Sequence, residues 1–542
     1  MTSELNHDAA ISAIKVVLSA AGVEHAGVKL REFPDEFFAV ITVSQTETAT
    51  VETLTAQIVS AVSQAAGTHS VAVTVLVRGD QADSPEPVRS PGNQVGRLSD
   101  PKVDQLIRLL EARSRTSVTV PSLQYKEDPR ASVFAAAAAR NHLIFGRRGV
   151  GKTALLLEVR QAVVERGECQ HWVNAQVYRD LNPNEAYVGI MSEVLDVLMQ
   201  RLAEGSGVSL KLQKVRDLLQ EKADPGKQIP AVNSVLKGIL VSDVLALYLF
   251  IDDFYLYPLD GQALLLDKLA STFRDCNGWL KLASIERLTR AFEPSTRLGL
   301  EVPHDATVID LDVTLEQPNI TQEFLESVMQ SYIKSVGIAS LRSIAKPEAL
   351  GRLVLSSGGV PRDYLNLFAN SIVGARKARA QAAEIGREDV SKAAGEYSQS
   401  KKRDLEQDVG AEESRRVLSV LENITGEVKG AHHATYFRVD LAQKALPNYE
   451  LLARLVDLRF CHLVQASVSD QHRAGIKYEA YLLALSEYAD VRVQRNLRVL
   501  DIVNGKWVAK TTGKARSSEL LTATQLRDKL RNSPVVDMST II

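Results

Sequence analysis

The apolar run Leu245-Ala246-Leu247-Tyr248-Leu249-Phe250-Ile251 stops abruptly at Asp252-Asp253. A run this short, with no polar alternation, reads as a parallel strand buried on both faces, its carboxyl end delivering two aspartates. His142-Leu143-Ile144-Phe145 is a second such run, and strands are also expected at 170–177, 279–285 and 307–311. Between them, apolar positions recur at helical spacing over 185–204, 210–243 and 261–273, the second of these interrupted at Asp224-Pro225-Gly226. Alternating strand and helix predicts a parallel sheet with right-handed crossovers over residues 98–315.

The flanking patterns differ. Residues 1–80 read as a small α+β module: helix 9–21 closed by Gly22, strands 27–33 and 37–43 around Pro34-Asp35-Glu36, helix 51–66 and strand 70–77. Residues 81–97, polar and carrying Pro85, Pro87 and Pro91, read as a linker. Residues 316–400 are helical throughout, and the charged stretch 399–407 either joins domains or forms a solvated helix. Over 410–485 the order is helix 412–424, helix 440–446, helix 449–458, strand 460–468 and strand 476–483, with a loop at 469–475. That order predicts a winged helix. Residues 486–542 form a C-terminal extension. The expected fold class is α/β, a phosphate-loop parallel sheet with a helical lid, a C-terminal winged helix and a small N-terminal α+β domain.

Composition narrows the class without naming a function. The 542 residues are 45% hydrophobic and 24% charged, as in an ordinary globular protein. A net charge of −2 means that any nucleic-acid contact must come from local patches. Cys169, Cys276 and Cys461 match no zinc spacing and suit a reducing cytoplasm. No run is long enough for a membrane span, and the first residues lack the regions of a signal peptide. His432, His433, His462 and His472 show no metal-like grouping.

The chemistry sits at the ends of the two apolar runs. Gly146-Arg147-Arg148-Gly149-Val150-Gly151-Lys152-Thr153 follows the first run and opens a helix, fitting G-x-x-x-x-G-K-[ST]. Glycines let backbone N–H groups turn inward around phosphates, and the helix N-terminus adds partial positive charge. Lys152 can reach the β- and γ-phosphates, and the Thr153 hydroxyl can ligate Mg²⁺. A glycine-rich turn carrying Lys-Thr by coincidence is the bland alternative; strand and helix on either side weigh against it. Asp252 would hold Mg²⁺ through water, and Asp253 would face the attacking water. Alone, that pair reads equally well as two loop aspartates.

P-loop, Asp-Asp-ended strand, polar-ended strand, helical segment with Gly358-Gly359-Val360-Pro361-Arg362, then winged helix: this order resembles the AAA+ and STAND ATPases, and is similar to the origin-recognition-like initiators. The resemblance spans residues 124–485. It implies ATP and Mg²⁺ as ligands, Ser284 as sensor 1 and Arg362 as a lid arginine reaching the γ-phosphate. A guanidinium suits the latter because it binds phosphate oxygens with two parallel bonds. The resemblance also implies an arginine finger among Arg287, Arg290 and Arg297, acting on a neighbouring copy, and Tyr125 and Pro129 near the adenine. One departure concerns turnover. Vigorous AAA+ motors end this strand in Asp-Glu, whereas Asp253 is one methylene shorter, as in slow STAND switches.

Three functions compete. The first is a slow, ATP-gated switch that controls assembly or domain arrangement through a protein partner or effector, as in an antiviral or stress sensor. The second is a DNA-binding initiator or loader. The third is a scaffold that binds ATP without chemistry. The expected third helix carries Glu450, Arg454 and Asp457, a poor DNA-reading face. Any DNA contact would fall on Lys506, Lys510, Lys514, Arg516, Arg527, Lys529 and Arg531.

Overall fold

The computed structural model describes residues 2–23, 25–33, 36–43, 47–66, 70–77, 97–113, 125–202, 207–221, 225–240, 246–379, 381–470, 475–489, 495–513 and 518–541. The linker expected over 81–97 lies almost wholly outside these residues, as do Gln471–Ala474 of the expected wing, Lys514 and Arg516.

The N-terminal elements are α1 (Thr2–Ala20), β1 (His25–Phe33), β2 (Glu36–Val43), α2 (Thr48–Thr53), α3 (Thr55–Ala66) and β3 (Ser70–Val77). β1 and β2 pair antiparallel, and β3 lies parallel to β2 on its other side. Ile14 and Leu18 of α1 join Ile58 and Val62 of α3 over Ala39 and Ile41 of the sheet, a core of its own. The helix expected at 51–66 breaks at Leu54 into α2 and α3.

The central elements are α4 (Pro101–Arg113), α5 (Ser132–Ala136), β4 (His142–Phe145), α6 (Lys152–Glu165), β5 (Cys169–Asn174), α7 (Pro183–Arg201), α8 (Gly207–Glu221), α9 (Ile229–Ile239), β6 (Leu247–Asp252), α10 (Leu259–Phe273), β7 (Gly278–Ser284), the short hairpin β8 (Phe292–Glu293) and β9 (Leu298–Gly299), and β10 (Thr307–Asp310). Five strands form one parallel sheet in the order β10-β4-β7-β6-β5. The period of two explains why the runs are apolar throughout. Leu247, Leu249 and Ile251 face the core shared with α7 to α10, while Tyr248 and Phe250 face the core shared with α5 and α6. α7 starts under an Asn182 cap whose N3 partner is Glu185.

The remaining elements are α11 (Pro318–Ser335), α12 (Pro347–Ser357), α13 (Pro361–Ala378), α14 (Arg387–Val409), α15 (Ala411–Thr425), β11 (Tyr436–Asp440), α16 (Pro447–Asp457), β12 (Cys461–Ser469), β13 (Lys477–Leu483), β14 (Arg498–Val503), β15 (Lys506–Thr511), β16 (Glu519–Leu520) and α17 (Ala523–Arg531). One apolar core runs through all of it, from Leu325 and Phe368 to Leu452, Leu482, Leu500 and Leu530.

Three expectations need correction. The core does not begin at 98: Leu98, Leu106 and Leu110 bury against α11 to α13, because the apolar stripe of α4 matches that helical cluster and not the sheet. The stretch 440–446 is a five-residue 3-10 turn after an unexpected strand, β11, which pairs with β13 in a β11-β13-β12 sheet. The extension 486–542, for which no elements were expected, carries among its described residues the strands β14, β15 and β16 and the helix α17. Lys510 there pairs with Asp501, Lys529 with Glu519 and Arg531 with Asp528, so three of the expected DNA-contacting cations have acidic partners in the fold. The stretch 399–407 is the continuing body of α14.

Candidate functional site

β4 ends at Phe145 and α6 begins at Lys152, so the loop 146–153 joins the carboxyl edge of the sheet to a helix N-terminus. Lys152 is 6% exposed, and its Nζ donates to the carbonyls of Gly146 (2.7 Å) and Arg147 (3.1 Å). Burial pulls its ammonium down to about 8, against the attraction of Asp253, Asp252 and Asp312. β7 lies between β4 and β6, so the ends of three strands converge here. The Thr153 hydroxyl donates to Asp252 Oδ2 at 2.8 Å, joining the loop to the end of β6. Asp252 is buried. Burial, then the adjacent Asp253 charge, push its carboxyl up to about 6, against the hydrogen bonds from Thr153 and the Asp253 amide. Asp253 is half-buried, with its backbone in the left-handed region (φ 51°).

These residues form a set of hard oxygen donors. A hydroxyl and a carboxylate 2.8 Å apart, with a second carboxylate next in the chain, suit Mg²⁺. A cation there favours the charged form of Asp252, which burial opposes.

Other expected residues fall less simply. Ser284 ends β7 in register with Phe145, but its hydroxyl is fully buried and shared with Thr289 at 2.5 Å. Arg362 opens α13 and its amide donates to the Gly149 carbonyl at 3.3 Å. Gly149 is left-handed (φ 89°), and a side chain there would meet Arg362 Cβ at 2.8 Å, so glycine serves the contact with α13 as well as the turn. Arg148 stacks its guanidinium over Tyr255, 5.3 Å from the ring centre, and Val150 is buried under the loop. Tyr125 packs against the α5–α6 side of the sheet, and Pro129 is exposed.

The arginines after β7 do not share one fate. Arg290 pairs with Glu293 at 3.3 Å and Arg297 is exposed in the β8–β9 turn. Arg287 reaches α16, pairing with Glu450 at 2.8 Å and with Asp457. The mixed charge of α16 thus meets the sheet-bearing core within the same chain.

Several contributors were not anticipated. Asp312, just past β10, accepts from the Arg147 amide (3.1 Å) and Nε (3.0 Å), fixing the loop to the far strand. Arg147 Nη2 also donates to the carbonyls of Val313 and Gly358. Arg459, in a left-handed turn between α16 and β12, donates to the Arg148 carbonyl at 3.2 Å and pairs with Asp363 at 2.5 Å. Lys401 meets the same Asp363 oxygen at 2.7 Å. Burial pushes the Asp363 carboxyl up, but Arg459 and Lys401 outweigh it and hold it at about 2. His462 is buried against Gly358, whose left-handed backbone leaves no room for a side chain beside the imidazole. Both His462 nitrogens lack a hydrogen-bond partner among the described residues.

The strand order, the glycine loop and the helix it opens define the architecture. The fold is that of an α/β P-loop NTPase. No family model matches the chain, and among curated proteins there is no match. Among solved structures, the chain is similar to the Orc1 protein of Aeropyrum pernix in complex with DNA, at 16% identity and a TM-score of 0.33, over 71% of this chain and 89% of that one. It is similar to Cdc6p of Pyrobaculum aerophilum at 15% identity and a TM-score of 0.31, over 73% and 93%. The Walker-type ATPase of Pyrococcus abyssi gives 12% identity and a TM-score of 0.37, over 68% and 97%. Among the described residues, no helix is long and apolar enough to cross a membrane, and no group of His, Cys, Asp or Glu forms a metal cluster.

Proposed function

We propose that this chain is an AAA+-type ATPase that uses nucleotide as a slow conformational switch. The observation that carries the proposal is the double grip on the phosphate loop. Arg459 holds the Arg148 carbonyl from the α16–β12 turn, while the Arg362 amide holds the Gly149 carbonyl from α13. Whatever occupies that loop acts directly on the C-terminal half.

In this reading, residues 146–153 cradle the phosphates of ATP, Lys152 offsets their charge, and Thr153 and Asp252 hold Mg²⁺. The metal, when bound, neutralises phosphate charge. Asp253 orients the attacking water, and its short side chain fits slow turnover. Arg362, half-buried beside Gly149, acts as the lid arginine, and Ser284 supports the strand end as sensor 1. We read 411–483 as a winged helix, with α16 as its third helix. Because Glu450 and Asp457 of α16 pair with Arg287, this module serves as a closing element, which favours the switch over the DNA-binding initiator. The exposed Arg297 remains a candidate finger for a second copy.

Lys152→Ala removes the cation facing the β- and γ-phosphates. Affinity for ATP with Mg²⁺ should fall by about a hundredfold, in line with the loss of a charge-assisted interaction in a buried site. Calorimetric titration of the folded variant measures it; wild-type affinity would remove 146–153 as the nucleotide site.

A further inference from the structure

At the β14–β15 hairpin, three cations meet one carboxylate. Asp501, in β14 and 3% exposed, pairs with Lys510 at 3.1 Å, Arg352 at 3.2 Å and Arg387 at 3.3 Å. One carboxylate cannot neutralise three cations. Arg387 and Lys510 border an open groove of about 640 Å³ between the start of α14 and the β14–β15 hairpin, also lined by Lys506, Asn504 and Glu348. That volume suits a small polar ligand. Three cations, Arg387, Lys506 and Lys510, against the one carboxylate of Glu348 leave its wall positive.

Donors in the adjoining Asp501 cluster are left over as well. The Tyr488 hydroxyl is buried and has no hydrogen-bond partner among the described residues, and neither Arg387 Nε nor Arg352 Nε has one. Burial, then repulsion from Arg352, pull the Arg387 guanidinium below its ordinary value, a cost that an added anion would relieve. Lys506 is exposed at the groove mouth and free to turn toward a ligand.

We propose that this groove binds a phosphate group, gripped by Arg387, Lys506 and Lys510 with Asn504 as a neutral donor. Guanidinium and ammonium together give a planar clamp and a mobile point charge, the pairing that phosphate recognition uses. The phosphate could come from a free polyphosphate or from a nucleic-acid backbone; the groove chemistry is the same for both.

The test is calorimetric titration of pyrophosphate into the full chain as wild type, Lys152→Ala, Arg387→Gln and Lys506→Glu, with Lys477→Glu as an exposed control elsewhere. Beside any event at the phosphate loop that Lys152→Ala removes, we expect a second binding event that survives Lys152→Ala and Lys477→Glu and weakens about tenfold in Arg387→Gln and Lys506→Glu. Arg387 touches a buried cluster, so if Arg387→Gln does not fold, Lys506→Glu decides alone. A single event, lost in Lys152→Ala but intact in the groove variants, would place pyrophosphate on the phosphate loop alone and overturn the proposal while leaving the nucleotide reading standing. No event in any protein overturns it too. A second arm measures fluorescence anisotropy of a short DNA duplex. Binding that weakens in Lys506→Glu with a shallower salt dependence would identify a nucleic-acid backbone as the source. Binding of pyrophosphate alone would identify a free anion.

Discussion

Asp252 carries a conflict that the rest of the site exists to resolve. It is 3% exposed and adjoins a second carboxylate, and its carboxyl is raised to about 6 from an ordinary 3.8. A raised folded-state value means the fold binds the proton more tightly than the unfolded chain does. Protonation therefore stabilises the protein as pH falls from about 6 towards 4, and the charge present at neutral pH costs on the order of 3 kcal/mol. Asp252→Asn removes that cost but gives up one of the two hydrogen bonds the carboxylate accepts, from Thr153 and from the Asp253 amide. The net should be a gain on the order of 1 kcal/mol in the absence of Mg²⁺, seen as a higher Tm at pH 7.5 that vanishes near pH 5. Nucleotide affinity in Mg²⁺ should fall at the same time. A lower Tm for Asp252→Asn at pH 7.5 would show that the carboxylate is well accommodated as a charge. The loop 146–153 was legible in the sequence because a phosphate-binding turn fixes its glycine and lysine spacing, and Asp252 because it ends an apolar run. Asp312, Asp363 and Arg459 were not: each acts through a partner more than ninety residues away in the chain, and no local pattern records such a pairing.

Between elements, Asp363 is the joint of the C-terminal half. It lies at the start of α13, fully buried, and binds Lys401 of α14 and Arg459 of the α16–β12 turn. Its carboxyl is depressed to about 2, so its contribution is complete above pH 4 and is lost as pH falls through 2. Asp363→Asn leaves two buried cations without a counter-charge, which costs about 3–5 kcal/mol. Urea unfolding at pH 7 measures it; a change below about 0.5 kcal/mol, the size of an ordinary surface substitution, would mean that water already satisfies both cations. The strands of the parallel sheet were legible as elements because burial on both faces forces them to be apolar throughout. The hairpin β14–β15 was missed although its signal is present. Asn504-Gly505, both left-handed, sits between Val499-Leu500-Asp501-Ile502-Val503 and Lys506-Trp507-Val508, and the extension was read for its charges instead of its alternation. β11 is short and follows an irregular turn, so its five residues gave too little alternation to see. α4 was not read as an element; the sequence placed only the start of the core at 98, and a helix stripe does not in any case say which of two apolar surfaces it will cover.

For the molecule as a whole, Arg287 decides between two architectures. As a finger it would serve a neighbouring copy; in this structure it bridges to Glu450 and Asp457 of α16, with a quarter of its side chain exposed. Those two pairs tie the parallel-sheet core to the C-terminal half at a point separate from the phosphate loop. Partly exposed pairs contribute little each, so together they amount to on the order of 1–2 kcal/mol, enough to move a closed–open equilibrium about tenfold. Arg287→Glu sets three carboxylates against one another at this contact and should favour the open arrangement. Small-angle scattering of the nucleotide-free variant should then show a larger radius of gyration than wild type at the same concentration. Light scattering with a non-hydrolysable ATP analogue should find assembly, if the open form assembles, at lower protein concentration. The finger role makes the opposite forecast. Shape would be unchanged, and only hydrolysis would fall, in a way that depends on mixing subunits. An Arg287→Glu protein with wild-type dimensions and reduced, concentration-dependent turnover would therefore return Arg287 to the interface between copies. It would also leave Arg459 and the Arg362 amide as the links through which the phosphate loop moves the C-terminal half.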